Sequence, residues 1–491
     1  MLRWIALVSA ATVLALGVSP GIVLAQEAPP GIETAVVRIV TFSQRGDAYS
    51  PWNAAGVMRG AGSGVVVGGG LVLTNAHVVS DARMVVLFLH GDPNPHEARV
   101  AVAGHDGDLA LVVPLEQGLL DHIAPLAIGG LPALRSVVET YGYPTGGEQI
   151  SSTRGVVSRI DMQLYVHSGV DAHLAVQTDA AINPGNSGGA VVQDGKLVGI
   201  AFQNSTDLEN VGFFIPTEVV RHFLEDAADG VYGGYPELGA ETATMVNPAA
   251  RRKAGMGELS GVRVDRVLPG SSADGLLAPG DILLAIEGSP LANDGTVATD
   301  GLRVRFGALV DRHQVGTSLA VEVLRDGKRV PLSIPLRTYP PVARLANAYD
   351  RLPQYYVYGG LVFVPLDREM LKTYGNDWPR VADRPLLREL LLRGAEESER
   401  MQEERVVLLR RLDHPVNADF AWYRNEVVER INGRTIRTLA DVIAAIEENK
   451  EPQHVFELKY YGKLAALDRA AADAANAQIL EQYGIPKDRR P

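Results

Sequence analysis

Residues 178–190 read Thr-Asp-Ala-Ala-Ile-Asn-Pro-Gly-Asn-Ser-Gly-Gly-Ala and place one serine, Ser187, in a turn built of Gly, Asn and Pro. An apolar strand, Ala190 to Val192, follows directly. Glycines around a serine permit positive φ and bring main-chain N–H groups close to a substrate. Acyl transfer needs that geometry. Ser187 Oγ would be the nucleophile, and the turn Gly185-Asn186-Ser187 would aim the N–H groups of Gly185 and Ser187 at a developing oxyanion. Such a turn alone is common between strands. Two upstream segments add weight to it. Leu71-Val72-Leu73-Thr74-Asn75-Ala76-His77-Val78-Val79 is an apolar strand entering a small-residue turn with a histidine, and Asp106-Gly107-Asp108-Leu109-Ala110-Leu111-Val112 sets acids at the mouth of another strand. A loop histidine is usually solvated and an aspartate before a strand usually caps a turn. In the order His, Asp, Ser they can instead supply a base, its orienter and a nucleophile. Asp106 and Asp108 compete for the middle role.

Thr-Asn-Ala-His-Val-Val, Asp-Leu-Ala-Leu-Val and the serine turn resemble the three signature segments of the Deg/HtrA serine proteases, whose triad has the chymotrypsin chain order. The resemblance implies His77 as general base, Ser187 as nucleophile, and Asp108 as orienter because it directly precedes Leu109-Ala110-Leu111. All three positions are intact. The fold it implies is mostly β: a chymotrypsin-like double β-barrel over residues 30–232, followed by two PDZ-like α+β domains.

The elements that must position these groups are visible as short runs. Thr34 to Phe42 is β-branched and alternating. Tyr49 to Gly62 reads as a polar loop, then Gly64–Val67 and Leu71–Leu73 as a hairpin through three glycines. Met84–Leu89 and Ala98–Ala103 complete a first barrel. Val137–Tyr141, Ile150–Ile160, Leu174–Thr178, Ala190–Val192, Leu197–Phe202 and Val211–Ile215 would form the second, ended by a helix from Val219 with Thr217 as N-cap. By the resemblance, Ile182 and the strand Gly199-Ile200-Ala201 would wall the primary specificity pocket. No acid stands at its base, so small or medium aliphatic P1 residues are expected.

After the glycine–tyrosine joint at 230–234, residues 235–338 resemble a circularly permuted PDZ domain. Glu237-Leu238-Gly239-Ala240 would be its carboxylate-binding loop, taking a chain terminus or internal strand by β-augmentation. Arg303, Phe306 and Leu309 are expected on the helix facing that peptide. Residues 345–465 read as a second, divergent PDZ-like domain with a helix at Leu439–Ile446, and 466–491 as a C-terminal helix and tail. Arg384 to Arg411, dense in Glu and Arg at helical spacing, reads as a solvated or intersubunit helix. Ala292-Asn293-Asp294-Gly295-Thr296-Val297, the run Gly359-Gly360-Leu361-Val362-Phe363-Val364-Pro365-Leu366 and Tyr374-Gly375-Asn376-Asp377-Trp378 are together similar to the two-PDZ Deg proteases of plant organelles.

At 491 residues the chain is long enough for about three domains. Plentiful Gly and Pro with only 6% aromatics favour a turn-rich β protein over a helical bundle. Residues 1–25 read as an export signal: Arg3, an apolar run from Ile5 to Val18, and Val23-Leu24-Ala25 before a cut at Gln26. Pro20 and Gly21 end that run short of the ~20 residues a membrane span needs, so no integral span is expected after signal removal. Cysteine is absent, which removes disulfides from the argument. A net charge of −12 argues against nucleic-acid binding. No metal is expected from the scattered histidines and no other cofactor, since Gly62-Ser63-Gly64 lacks the lysine of a phosphate loop. The expectation is an ATP-independent periplasmic serine endopeptidase acting on unfolded polypeptides, with peptide C-termini or internal strands bound at its PDZ domains. The family resemblance implies a homo-oligomer, a trimer or a multiple of trimers. Two alternatives remain open: a PDZ-based holdase with latent proteolysis, and a signalling protease specific for one partner.

Overall fold

Alternating apolar and polar residues curl the first half of the chain into two closed barrels, and closure leaves no unpaired sheet edge. The computed structural model describes residues 31–204, 211–340, 344–393, 403–460 and 464–490. The expected leader, 1–25, lies outside the described residues. β1 (Val36–Ser43), β2 (Met58–Gly68), β3 (Leu71–Thr74), β4 (Ala82–Phe88), β5 (His96–Gly104) and β6 (Leu109–Pro114) close in the order β1-β2-β3-β6-β5-β4. β2 begins inside the stretch expected to be loop, because Ser43 of β1 pairs with Met58 and carries the ladder that far. β7 (Val137–Gly142), β8 (Ser151–Leu164), β9 (Ala172–Thr178), β10 (Ala190–Gln193), β11 (Lys196–Asn204) and β12 (Gly212–Pro216) close in the order β10-β11-β12-β9-β8-β7. One apolar cluster runs from Val36, Val65 and Leu109 in the first barrel to Ala190, Ile200 and Ile215 in the second. The barrels therefore share a core across their seam. In the helix Thr217–Asp226 the N-cap position falls to Pro216, and the Thr217 hydroxyl is buried without a partner, so the expected Thr217 cap is not made.

The next unit is a sheet of β13 (Ala240–Thr244), β14 (Val262–Val267), β15 (Ile282–Ile286), β16 (Ser289–Pro290), β19 (Ser318–Arg325) and β20 (Lys328–Pro335). Its backbone order is β13-β14-β15-β19-β20, which leaves β13 at one edge. A separate hairpin pairs β17 (Thr296–Thr299) with β18 (Leu302–Arg305). This corrects the expected peptide-facing helix. Arg303 lies in β18, Phe306 precedes a single turn at Gly307–Val310, and Leu309 is buried in the core. β-branched Thr296, Val297 and Val304 favour strand there. Asp300 and Gly301, both at positive φ (51° and 73°), give the tight turn that joins the two strands.

This unit is fastened to the second barrel through aromatic and charged side chains. His222 stacks on Tyr235 with ring centroids 4.0 Å apart, and its Nε2 donates to the His313 carbonyl at 3.0 Å. His173 Nδ1 meets Asp311 Oδ2 at 2.9 Å. Burial alone would lower the His173 pKa, but the Asp311 carboxylate outweighs it, with Asp106 and Asp171 adding to the effect, and raises the group to about 9.

The last unit contains β21 (Tyr355–Tyr358), β22 (Leu361–Pro365), β23 (Val406–Arg411), β24 (Glu426–Ile431), β25 (Arg434–Thr435), β26 (Gln453–Leu458), β27 (Leu464–Asp468) and β28 (Arg489–Arg490). The sheet runs β27-β26-β24-β23-β22-β21-β28, with β25 on β24. The helix Leu439–Glu447 is opened by a Thr438 capping box. Two expectations change here. Val406–Arg411 is a strand and not the end of a charged helix, since Val406 to Leu409 are buried on both faces and such strands show no alternation. The helical part is confined, among the described residues, to 384–393. The boundary drawn at 465/466 cuts through β27, and the tail beyond it is integral to the unit. The helix Arg469–Gln482 buries Ala472, Ala475 and Ile479, and β28 pairs with β21.

Ile479 is fully buried, so Ile479→Ala should destabilise the last unit by about 2–5 kcal/mol, read as a lower denaturation midpoint for that unit. His173 gives a pH-dependent prediction. Its pKa is raised on folding, so its contribution is complete below its unfolded value and disappears as pH climbs through about 9. Such a shift corresponds to roughly 3 kcal/mol. The Tm gap between wild type and His173→Gln should be wide at pH 6 and close above pH 9.

Candidate active site

β3 and β6 are paired neighbours, with Thr74 opposite Ala110. This pairing sets the turn after β3 beside the mouth of β6. The turn becomes the one-turn helix Ala76–Val79, which carries His77. Asp108 holds a left-handed conformation (φ 48°) just before β6. Its carboxylate accepts twice from His77: the main-chain N–H reaches Oδ1 at 2.9 Å and ring Nδ1 reaches Oδ2 at 2.7 Å. Asn75 Nδ2 donates to the Asp108 carbonyl at 2.9 Å, fixing the same residue from its backbone. Asp106 does something else. It accepts from the Tyr232 hydroxyl at 2.6 Å and from the Tyr235 N–H at 3.1 Å, tying down the joint after the second barrel.

The electrostatics of the pair follow from burial. Asp108 is buried, its side chain 1% exposed, whereas the His77 side chain keeps 34% of its surface. Desolvation pushes the Asp108 pKa up, yet the His77 charge and its hydrogen bonds outweigh that and hold the carboxyl below its usual range. Desolvation likewise works against the His77 cation, and Asp108 outweighs it, leaving the imidazole above its ordinary value. An acid fixed on Nδ1 turns Nε2 of the neutral ring into the basic edge.

Ser187 lies on the other barrel, in a turn with Gly185 (φ 97°) and Gly188 (φ 83°). Glycine is required at 188: a Cβ there would lie 2.1 Å from the Ser63 carbonyl oxygen. The turn is stitched to β11 by Gly188 N–H to the Ala201 carbonyl (2.8 Å) and Ala201 N–H to the Gly189 carbonyl (2.9 Å). Asn186 is buried, and its N–H is used within the turn, donating to Asn183 at 2.9 Å. Among the described residues the N–H groups of Gly185 and Ser187 have no protein acceptor, so an oxyanion could take both. Ser187 Oγ itself donates to the Phe202 carbonyl at 3.2 Å. Among the described residues no hydrogen bond joins it to His77.

Ser63 is the residue that sequence reasoning missed. It is fully buried in β2, and it grips the turn from the first barrel. Its N–H donates to the Ser187 carbonyl (2.8 Å), its Oγ donates to the Gly185 carbonyl (2.8 Å), and Oγ accepts from the Tyr143 N–H (2.9 Å). Thr74 Oγ1 donates to the Ser63 carbonyl at 2.7 Å. A signal was available: a hydroxyl between two glycines, at the head of an otherwise apolar run.

The expected pocket wall is placed differently. Ile200 and Ala201 are fully buried, and a Cβ on Gly199 would lie 2.4 Å from the Phe214 ring. Ile200 belongs to the core shared across the seam and Ala201, on the opposite face of the strand, to the second barrel's own core, so neither side chain is free to wall a pocket. Ile182 is buried too, packed with Val138, Val157 and Val198. Of the expected carboxylate loop, the Glu237 N–H is already used by the Arg337 carbonyl (2.9 Å), and Leu238 is buried in the sheet's core. Gly239 has positive φ (71°), and Ala240 starts β13 opposite Val267. Burial, with Asp171 and Asp311 adding to it, raises the Glu237 carboxyl to about 7. Among the described residues no group of three or more His, Cys, Asp or Glu is disposed to hold a metal ion, and no helix is long and apolar enough to cross a membrane.

Two family profiles match this chain: a trypsin-like peptidase domain over residues 62–200 and a PDZ domain over residues 345–491. Over 454 residues it is 33% identical to "Protease Do-like 4, mitochondrial" of Arabidopsis thaliana, spanning 92% of this chain and 84% of that protein. It is 35% identical over 462 residues to "Protease Do-like 2, chloroplastic" of the same plant, spanning 93% and 74%. Among solved structures it is similar to "HtrA-type protease AlgW with decapeptide", at 27% identity and a TM-score of 0.48, over 63% of this chain and 97% of that one.

Ser63→Ala removes one donor–acceptor hydroxyl and leaves the Gly185 carbonyl and Tyr143 N–H buried without it, at about 1–3 kcal/mol each. We expect a fall of roughly 10- to 100-fold in kcat, with KM little changed, measured on a peptide substrate alongside a thermal unfolding curve.

Proposed function

Because this chain belongs to the Deg/HtrA family of serine endopeptidases, we propose that it cuts unfolded or damaged polypeptides without ATP, in the periplasm of its cell. The observation that carries the reading is the His77 Nδ1 to Asp108 Oδ2 contact of 2.7 Å, facing a glycine turn that presents Ser187. In the proposed cycle Ser187 Oγ attacks the peptide carbonyl while His77 Nε2 takes its proton. The N–H groups of Gly185 and Ser187 take the oxyanion charge, and Asn186 between them shapes the turn. His77 then protonates the leaving amine, and water, activated by the same ring, hydrolyses the acyl-enzyme. Asp108 stays ionised throughout and steadies the imidazolium. Since free His77 must be neutral to act, activity should rise with pH through a pKa above the ordinary histidine value of 6.5.

The unit of residues 235–338 is proposed as a first PDZ domain beside the matched second one. Its edge strand β13 leaves a place where an extended peptide could pair. A preference for Val, Ala, Ile or Leu at P1 belongs to the same reading and rests on the family resemblance. Assembly into trimers or their multiples, and export by residues 1–25, belong to the same reading. A second reading has one observation in its favour. Ser187 Oγ donates to the Phe202 carbonyl and not to its base, as a resting protease awaiting a peptide ligand would.

The test is cleavage of an unfolded model protein by the chain from Gln26, beside Ser187→Ala, with products mapped by mass spectrometry. Aliphatic P1 cuts that vanish in the variant are expected. Cuts after Lys or Arg would refute the specificity while leaving the triad standing. Silence relieved by a peptide with a hydrophobic C-terminus would favour the resting form, and silence under all conditions would sink the protease reading.

A further inference from the structure

Residues 344–350 lie outside the stretch that matches a peptidase domain, yet they hold two neighbours of the catalytic histidine, one in space and one in sequence. In space they hold His167. This histidine follows β8 in the second barrel, is buried, and has its ring centroid 6.1 Å from that of His77. Tyr349 stacks on the His167 ring at 4.0 Å and 17°. The Tyr349 hydroxyl and Asn347 Nδ2 both donate to the His167 carbonyl, at 2.9 and 2.7 Å. In sequence they hold Asp81, four residues beyond His77. The Asp81 N–H donates to Asp350 Oδ1 at 2.5 Å, and the Asp350 N–H donates to Asp81 Oδ1 at 2.8 Å. Both aspartates are left-handed (φ 57° and 56°), so this reciprocal pair is a fixed geometry.

His105 ties the two neighbours together. Its Nε2 meets Asp350 Oδ2 at 3.0 Å and its Nδ1 meets His167 Nε2 at 3.0 Å. A carboxylate can only accept, so His105 Nε2 carries the proton. One proton is shared between His105 Nδ1 and His167 Nε2, so the three groups form a continuous hydrogen-bonded row.

The geometry points to residues 344–350 as a strap that completes the catalytic centre: Tyr349 and Asp350 are positioning residues for His77, acting through His167 and through the turn at Asp81. The strap lies at the start of the second PDZ unit, whose profile match begins at residue 345. That unit therefore bears on the chemistry through the strap, without contributing a reacting group. This inference rests on the endopeptidase reading above and adds to it where the catalytic histidine gets its alignment.

The test uses the full chain from Gln26 and compares wild type with Tyr349→Ala, Tyr349→Phe and Asp350→Asn. Steady-state kinetics on a fluorogenic peptide with Val at P1 are read together with the downfield proton resonance of His77 Nδ1–H. Tyr349→Ala should lower kcat tenfold or more, shift KM less than twofold, and broaden or move the resonance. Tyr349→Phe, which keeps the stacked ring, should recover most of the lost kcat. Asp350→Asn should fall between them. If Tyr349→Ala does not fold, Asp350→Asn and Tyr349→Phe decide by the same two readouts. Folded Tyr349→Ala and Asp350→Asn proteins with wild-type kcat and an unmoved resonance would overturn the strap, as would a loss confined to KM. A wild type that cuts nothing, but whose resonance moves in Tyr349→Ala, would refute the endopeptidase reading and leave the strap standing.

Discussion

The proposed chemistry of this molecule depends on one seam, where β2 of the first barrel meets the serine turn of the second. His77 and Asp108 stand on one barrel and Ser187 on the other, so their alignment is only as good as the contact between the two. Ser63 makes that contact with its N–H and its hydroxyl, and Gly188 allows it by having no side chain to hold the backbones apart. The apolar core running through both barrels supplies cohesion. Hydrophobic burial is non-directional, however, and cannot by itself set a nucleophile to within a fraction of an ångström. Buried, fully satisfied hydrogen bonds can, because any displacement strands a polar group away from water.

The same division of labour recurs where the first C-terminal unit docks. His222 stacked on Tyr235, with His173 tilted against the same ring, gives contact area, while the Asp311 carboxylate and the His313 carbonyl fix the register. The positive charge retained by His173 answers a local excess of carboxylates. It is held by geometry that the sequence gives no hint of, since Asp311 lies 138 positions away.

What could be read in the sequence, and what could not, divides along physical lines. The two barrels were legible because their strands are short, β-branched and separated by Gly and Pro. The serine turn and the histidine turn were legible because backbone conformation there demands particular residues, and Asp108 could be preferred to Asp106 only through its Leu-Ala-Leu context. Ser63 was passed over because its role is to touch main-chain atoms 122 residues away, which leaves no local pattern. Gly199, Ile200 and Ala201 were assigned to a pocket wall, but the Ile200 and Ala201 side chains are taken up by apolar cores on the two faces of the strand. The helix expected to carry Arg303 and Phe306 gave way to a hairpin because β-branched residues flank a left-handed Asp-Gly pair. Val406–Arg411 was hidden for the opposite reason: a strand covered on both faces has no alternation to read, and the charges around it imitate a helix.

The pairing of β21 with β28 has a consequence for the order of events during synthesis. Tyr355 and Lys487, hydrogen-bonded to each other beside this pair, are 132 residues apart, so this edge of the sheet cannot close until the segment around Lys487 has left the ribosome. Contacts of such long sequence separation form slowly and late. The barrels, whose strands pair mostly with near neighbours in sequence, are complete well before that point. A nascent chain thus passes through a period in which the proteolytic scaffold is already shaped while its last unit is still open. Any catalytic competence that depends on the last unit is thereby delayed until the residues of β28 have been made.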